Sequence, residues 1–229
     1  MMQERYHARL ASAYVRGAAM KGLVTLPPSL TEIPLELLQE KDMEQLILAG
    51  KQAELKMHHF KSHDVLPRVK KVMGFLKAVQ PESLLDVGSG RGVFLFPFLN
   101  EFPWVPVTSV DLLDYRVQML DMIRHGGIER LTALQQDLCQ WNAPENAYDA
   151  VTLLEVLEHI PQVEKAIQTA VRMAKRYIVV TVPSKPDDNP EHIHLLTKDI
   201  LTNLFTACGC THLQFDGVNG HLFMAARKG

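Results

Sequence analysis

Leu85-Asp86-Val87-Gly88-Ser89-Gly90-Arg91-Gly92 joins a short apolar run to a helical one, Val93 to Phe102. Glycines at such a join let the backbone turn sharply and let a ligand approach the amides. The helix N-terminus beyond supplies unpaired N–H groups and the positive end of a dipole. The spacing is G-x-G-x-G, not the G-x-G-x-x-G of dinucleotide binding. Asp86 stands just before the glycines, where a carboxylate would repel a pyrophosphate and welcome a cation. Asp111 ends the next apolar run, 23 residues beyond Gly88, the place for a carboxylate that reaches ribose hydroxyls. Either aspartate alone would pass for a turn or helix cap. With the glycines they make a ligand-binding turn.

Outward from this turn, residues 81–229 alternate apolar runs with helical ones. Strands are expected at 84–87, 107–110, 131–134, 150–154 and 177–182, and helices at 93–102, 115–125, 163–174 and 198–207. Short apolar strands with helical crossovers imply a parallel sheet covered on both faces. The end breaks that rhythm. Thr211 to Phe215 and Leu222 to Ala226 are separated only by Asp216-Gly-Val-Asn-Gly220, so they form a hairpin and the last strand runs antiparallel. The expected fold class is α/β, a doubly wound seven-stranded mixed sheet.

Residues 1–80 show no strand pattern. Helices are expected from Ala8 to Met20, stopped by Pro27-Pro28, and over 35–49 and 65–79, where apolar residues recur at helical spacing. This segment reads as an N-terminal helical cap or lid, and 81–229 as the main domain.

The 229 residues are 47% hydrophobic and 22% charged, ordinary globular composition. No apolar run is long enough to span a bilayer, and the N-terminus lacks the apolar stretch of a secretory signal. Three cysteines without framework spacing argue against a disulfide scaffold; Cys208-Gly-Cys210 reads as a turn after a helix. A cytoplasmic protein is expected. Net charge is −2, yet residues 1–80 hold 12 Lys/Arg against 8 Asp/Glu. Lys51 to Lys77 carries the excess, with His58, His59 and His63. It reads as a solvated helix face, or as a surface for an anionic acceptor.

The chain resembles the class I S-adenosylmethionine-dependent methyltransferases over about residues 80–229. Five segments carry the resemblance: Leu85 to Gly92; Asp111-Leu112; Gln136-Asp137-Leu138; Tyr148 to Val151 with Leu154-Glu155; and Val180 to Pro183. The resemblance implies S-adenosyl-L-methionine as cofactor. It implies binding by Asp86, Gly88, Ser89, Gly90, Asp111, Leu112, Asp137, Leu138 and Glu155. A carboxylate at position 86 suits a donor that bears an ammonium and a sulfonium.

Methyl transfer from a sulfonium is an in-line displacement with a good leaving group. Alignment can supply about 7–11 kcal/mol, and a base about 10²- to 10⁴-fold. The candidate catalytic residues are His159 and Glu158, just past the fourth strand. His159 has a rival reading as a structural imidazole before the helix begun by Pro161. No metal is required. Glu155-x-x-Glu158-His159 with His192 is also similar to the divalent-metal set of small-RNA 3′-terminal 2′-O-methyltransferases. The expected partner is a small-molecule or other soluble acceptor; RNA is the second choice, and no membrane partner is expected. Two other classes, a nicotinamide oxidoreductase and an inactive methyltransferase-like binding module, fit the glycine turn but not all of its carboxylates.

Overall fold

The computed structural model describes residues 5–62, 65–142, 144–186 and 188–229. His63, Asp64 and Asp187 lie outside the described residues. In chain order the helices are α1 (Ala8–Met20), α2 (Pro28–Thr31), α3 (Glu40–Gln52), α4 (Pro67–Val79), α5 (Leu95–Glu101), α6 (Asp114–His125), α7 (Val163–Met173) and α8 (Lys198–Ala207). The strands are β1 (Leu84–Val87), β2 (Val107–Asp111), β3 (Leu131–Gln135), β4 (Tyr148–Leu154), β5 (Ala174–Pro183), β6 (Cys210–Val218) and β7 (His221–Lys228).

All seven strands join one sheet in the order β3-β2-β1-β4-β5-β7-β6. β1 lies parallel to β2 and β4, and β4 parallel to β5; β7 is antiparallel to both β5 and β6. The order reverses at β1, which puts a topological switch point at the C-terminal ends of β1 and β4. The expected mixed sheet with an antiparallel last strand is the one observed. Cys208 caps α8, and buried Cys210 opens β6, so this pair is a turn.

Two compact units emerge from the chain's contacts. The second comprises 65–89, 105–112 and 134–229. Its apolar core runs through Leu85, Val151, Ile178 and Met224 and is covered by Ile167, Ala170, Leu201 and Phe205 of α7 and α8. Asp149, at the start of β4, is 2% exposed. It accepts from Glu82 N at 2.9 Å and forms a two-pronged ion pair with Arg176 of β5. The Arg176 hydrogen bonds hold its carboxyl below the ordinary carboxylate value.

The first unit comprises 1–64, 90–104 and 113–133. Here α1 meets α6 backbone to backbone. A Cβ on Gly17 would lie 1.9 Å from Met122 O, and one on Gly126 would lie 1.7 Å from Ala13 O. Phe60 stacks on Phe96 at 5.1 Å and meets Tyr14 at 4.9 Å.

One helix begins later than its apolar spacing suggests. Leu35–Leu37 forms a 3₁₀ turn and Leu38 is extended, so α3 starts at Glu40 rather than at 35. The cause is local chemistry. Gln39 and Asp42 form a reciprocal capping box, with Gln39 N donating to Asp42 at 3.0 Å. Likewise α4 starts at Pro67, which suits a first helical position.

Candidate active site

The parallel register sets a polar notch into the apolar sheet. Asp86 of β1 stands between Ser109 of β2 and Thr152 of β4. Asp86 is 2% exposed, and both hydroxyl neighbours are buried. Thr152 Oγ1 donates to one carboxylate oxygen at 2.7 Å, and Ser89 Oγ to the other at 2.6 Å. The Ser89 and Ser109 hydroxyls bond to each other. Burial pushes Asp86 up to about 6; the two hydroxyl donors oppose that, and Asp111 adds a further upward push. The neighbour that acts on it by charge is therefore an anion. A carboxylate buried this way is stabilised by a cationic ligand.

The glycine turn leaves that notch with left-handed backbone at Gly88 (φ 66°) and Gly90 (φ 57°). A Cβ on Gly88 would lie 2.8 Å from Val156 Cγ2, so strain and space both favour glycine. Asp111 ends β2 and is 6% exposed, while Leu112 beside it is 64% exposed. Leu112 O accepts from Gln135 Nε2 at 3.0 Å. Asp137 accepts from Cys139 N at 2.8 Å and Gln140 Nε2 at 2.9 Å. Its carboxylate thus closes its own turn, and the Leu138 side chain is buried in the core.

A second cluster follows β4. Leu157–His159 is a 3₁₀ turn, and residues 189–194 are stapled onto it. Ile193 N and His194 N donate to Glu158 O at 2.9 and 3.3 Å, and His194 Nε2 lies 3.0 Å from Ile160 O. His159 Nδ1 lies 2.9 Å from Glu191 O. A carbonyl only accepts, so in the neutral ring Nδ1 carries the proton and Nε2 the lone pair. The staples bring His192 to His159, with ring centroids 4.8 Å apart. Ligand atoms of Glu158, His159 and His192 all lie within 4.8 Å of one another, and Glu158 is 1% exposed.

Glu155 goes elsewhere. It holds a left-handed conformation (φ 56°) and donates its N–H to Thr181 O at 2.8 Å. Its carboxylate meets His221 Nε2 of β7 at 3.0 Å and Arg68 Nε of α4 at 4.0 Å. Of the four residues in the metal-like pattern, three gather and Glu155 does not.

Thr152, Ser109, His221 and Arg68 are site neighbours that sequence reading passes over. A lone Ser or Thr in a strand is unremarked until register puts it beside Asp86. His221 becomes visible only once β7 is known to pair with β5.

Comparison with known proteins names the class. The family described as "Methyltransferase domain" matches residues 57–215, more than half of the chain. The chain belongs to that family, and with it to the class I S-adenosylmethionine-dependent methyltransferases. A ubiquinone biosynthesis O-methyltransferase of Alkalilimnicola ehrlichii is 28% identical over 117 residues, covering 49% of this chain and 46% of that protein. The match thus spans about half the length of that relative. Two solved structures share the fold. Magnesium protoporphyrin IX methyltransferase of Synechocystis PCC 6803, with bound SAH, superposes with a TM-score of 0.55 at 16% identity, over 71% of this chain and 82% of that one. A SAM-dependent methyltransferase of Aquifex aeolicus gives a TM-score of 0.54 at 17% identity, over 71% and 97%. Among the described residues, no helix is long and apolar enough to cross a membrane.

Proposed function

We propose that this protein moves the methyl group of S-adenosylmethionine to an oxygen of a small soluble acceptor beside Glu158, His159 and His192. The observation that carries the reading is the close grouping of those three, with His159 Nε2 left as the lone-pair nitrogen. The O-methyltransferase relative favours oxygen over nitrogen as the acceptor atom. Asp86, Gly88, Ser89, Gly90, Asp111 and Leu112 hold the donor, together with the Leu138 amide. Asp137 shapes the turn that presents that amide.

In this mechanism the acceptor hydroxyl gives its proton to His159 Nε2 as its oxygen attacks the methyl carbon. The carbon–sulfur bond breaks and the sulfonium leaves as a neutral thioether. The Glu191 carbonyl keeps the imidazole in the right tautomer, and Glu158 offsets the imidazolium charge that forms. Glu155, tied to His221 and Arg68, fixes the strand end rather than touching the acceptor. The test is a labelled-methyl screen of metabolite pools, followed by His159→Ala on the acceptor found. A loss of about 100-fold or more in kcat, with unchanged SAH affinity, is expected. Unchanged turnover would remove His159 as the base.

A second reading of the cluster is favoured by its 4.8 Å spacing. One carboxylate and two imidazoles suit a divalent transition-metal ion, and a carbonyl-oriented histidine is the usual support for such a ligand. The ion would acidify the acceptor hydroxyl. Loss of turnover in EDTA, restored by manganese or cobalt, would establish it. A short RNA 3′ end is the alternative acceptor, but its metal set needs Glu155 as a fourth ligand. No transfer to such an RNA is expected with manganese, magnesium or cobalt present. An inactive binding module would bind SAH yet never turn over. The three free cysteines suit a reducing compartment, the cytoplasm.

A further inference from the structure

Within the first unit, the N-terminal segment, the glycine turn and α6 line an open hollow of about 680 Å³. That volume is in the range of small-molecule sites. Its charge is one-sided. Lys56, Arg91 and Arg116 line it, against one acid, Glu54. His58 and His59 add two imidazoles from the 3₁₀ turn Met57–Phe60, their rings 4.2 Å apart. His59 Nδ1 is buried and, among the described residues, has no hydrogen-bond partner. Burial lowers the His59 pKa, and the charges of His58, Arg91, Lys56 and Arg116 lower it further.

The walls are apolar and aromatic. Tyr14, Met119 and Met122 are buried beneath, and Tyr115 stands exposed at the rim. Lys56 Nζ lies 5.5 Å and Arg116 Cζ 5.7 Å from the centre of the Tyr115 ring. Cations held on an aromatic face next to an apolar hollow suit a flat ring that carries an anion. Gly90 and Arg91, from the glycine turn itself, form part of the same wall.

We propose that this cavity receives an anionic aromatic molecule, with a carboxylate or phosphate held by Lys56, Arg91 and Arg116. The anion preference does not depend on the methyl-transfer reading. Sequence alone reads the basic stretch as a solvated helix face or as a surface for an anionic acceptor. The structure gathers Lys56, His58 and His59 from it around one hollow and joins them to two arginines from elsewhere in the chain.

The test uses the full chain, first without SAH and then saturated with it, titrated by NMR with benzoate, phenyl phosphate and the uncharged isostere benzamide. Benzoate or phenyl phosphate is expected to bind in the millimolar range, at least about tenfold tighter than benzamide, and to weaken as salt rises. The two anions distinguish a carboxylate from a phosphate. The double variant Lys56→Met, Arg116→Met is expected to lose that preference while its SAH affinity stays within about twofold. Equal binding of benzoate, phenyl phosphate and benzamide to the wild-type chain overturns the proposal without any variant. So does displacement of the anions by SAH, which would make the cavity the donor's own site. SAH binding is scored separately: its absence strikes the methyl-transfer reading, and a missing anion preference strikes this one.

Discussion

Asp86 shows how burial ties one carboxylate's contribution to stability to pH. Its pKa in the folded chain, about 6, lies above the ordinary value of 3.8. The native state therefore binds that proton more tightly than the unfolded chain does. Sign follows directly: the contribution is most favourable below about pH 4 and is lost as pH rises through 6. The gap corresponds to about 3 kcal/mol at most. Asp86→Asn removes the step. The difference in Tm between variant and wild type, both without ligand, is expected to grow in the variant's favour from pH 4.5 to pH 7.5. A pH-independent difference would contradict the burial argument. Asp149 works the opposite way, since Arg176 holds its pKa down. Its stabilisation is present above the ordinary carboxylate range and is lost on acidification. Asp149→Ala strands Arg176 and Glu82 N, and is expected to cost about 2–3 kcal/mol in urea unfolding, with SAH affinity unchanged.

At the scale of elements, close backbone contact sets what sequence may occupy a position. Gly126 has an ordinary negative φ (−77°), so Gly126→Ala suffers no backbone strain of its own. It nonetheless places a methyl against Ala13 O of α1. A loss of about 1–3 kcal/mol is expected, read as a lowered urea midpoint with an unchanged m-value. The loop that carries His192 makes a separate prediction. His194 Nε2 and the Ile193 amide pin that loop to the Leu157–His159 turn. His194→Ala should lower kcat several-fold through misplacement of His192, with little change in Tm. Elements were the most legible part of this chain. The Asp86-to-Gly92 turn, the alternating runs and the terminal hairpin read correctly, because periodicity and glycine spacing are local signals. The start of α3 did not, because a Gln39–Asp42 capping box overrode an apolar pattern. The Ser109–Asp86–Thr152 notch and the Glu155–His221 pair were invisible, since both depend on which strands become neighbours.

For the whole molecule, strand order is what turns separate motifs into one site. The reversal at β1 brings the end of β2, with Asp111, and the end of β4, with Glu155, to either side of the glycine turn. A buried anion with hydroxyl donors and, among the described residues, no cation beside it, a second acid on the next strand and a histidine–glutamate cluster past β4 are what the proposed methyl transfer needs. The measurement that bears most directly on this is isothermal titration calorimetry of S-adenosylhomocysteine against the wild-type chain and Asp86→Ala at pH 7.5. The expected result is micromolar binding by the wild type, weakened at least about tenfold in Asp86→Ala. No heat with the wild-type chain, or equal affinity in the two proteins, would contradict the assignment of this carboxylate to the methyl donor.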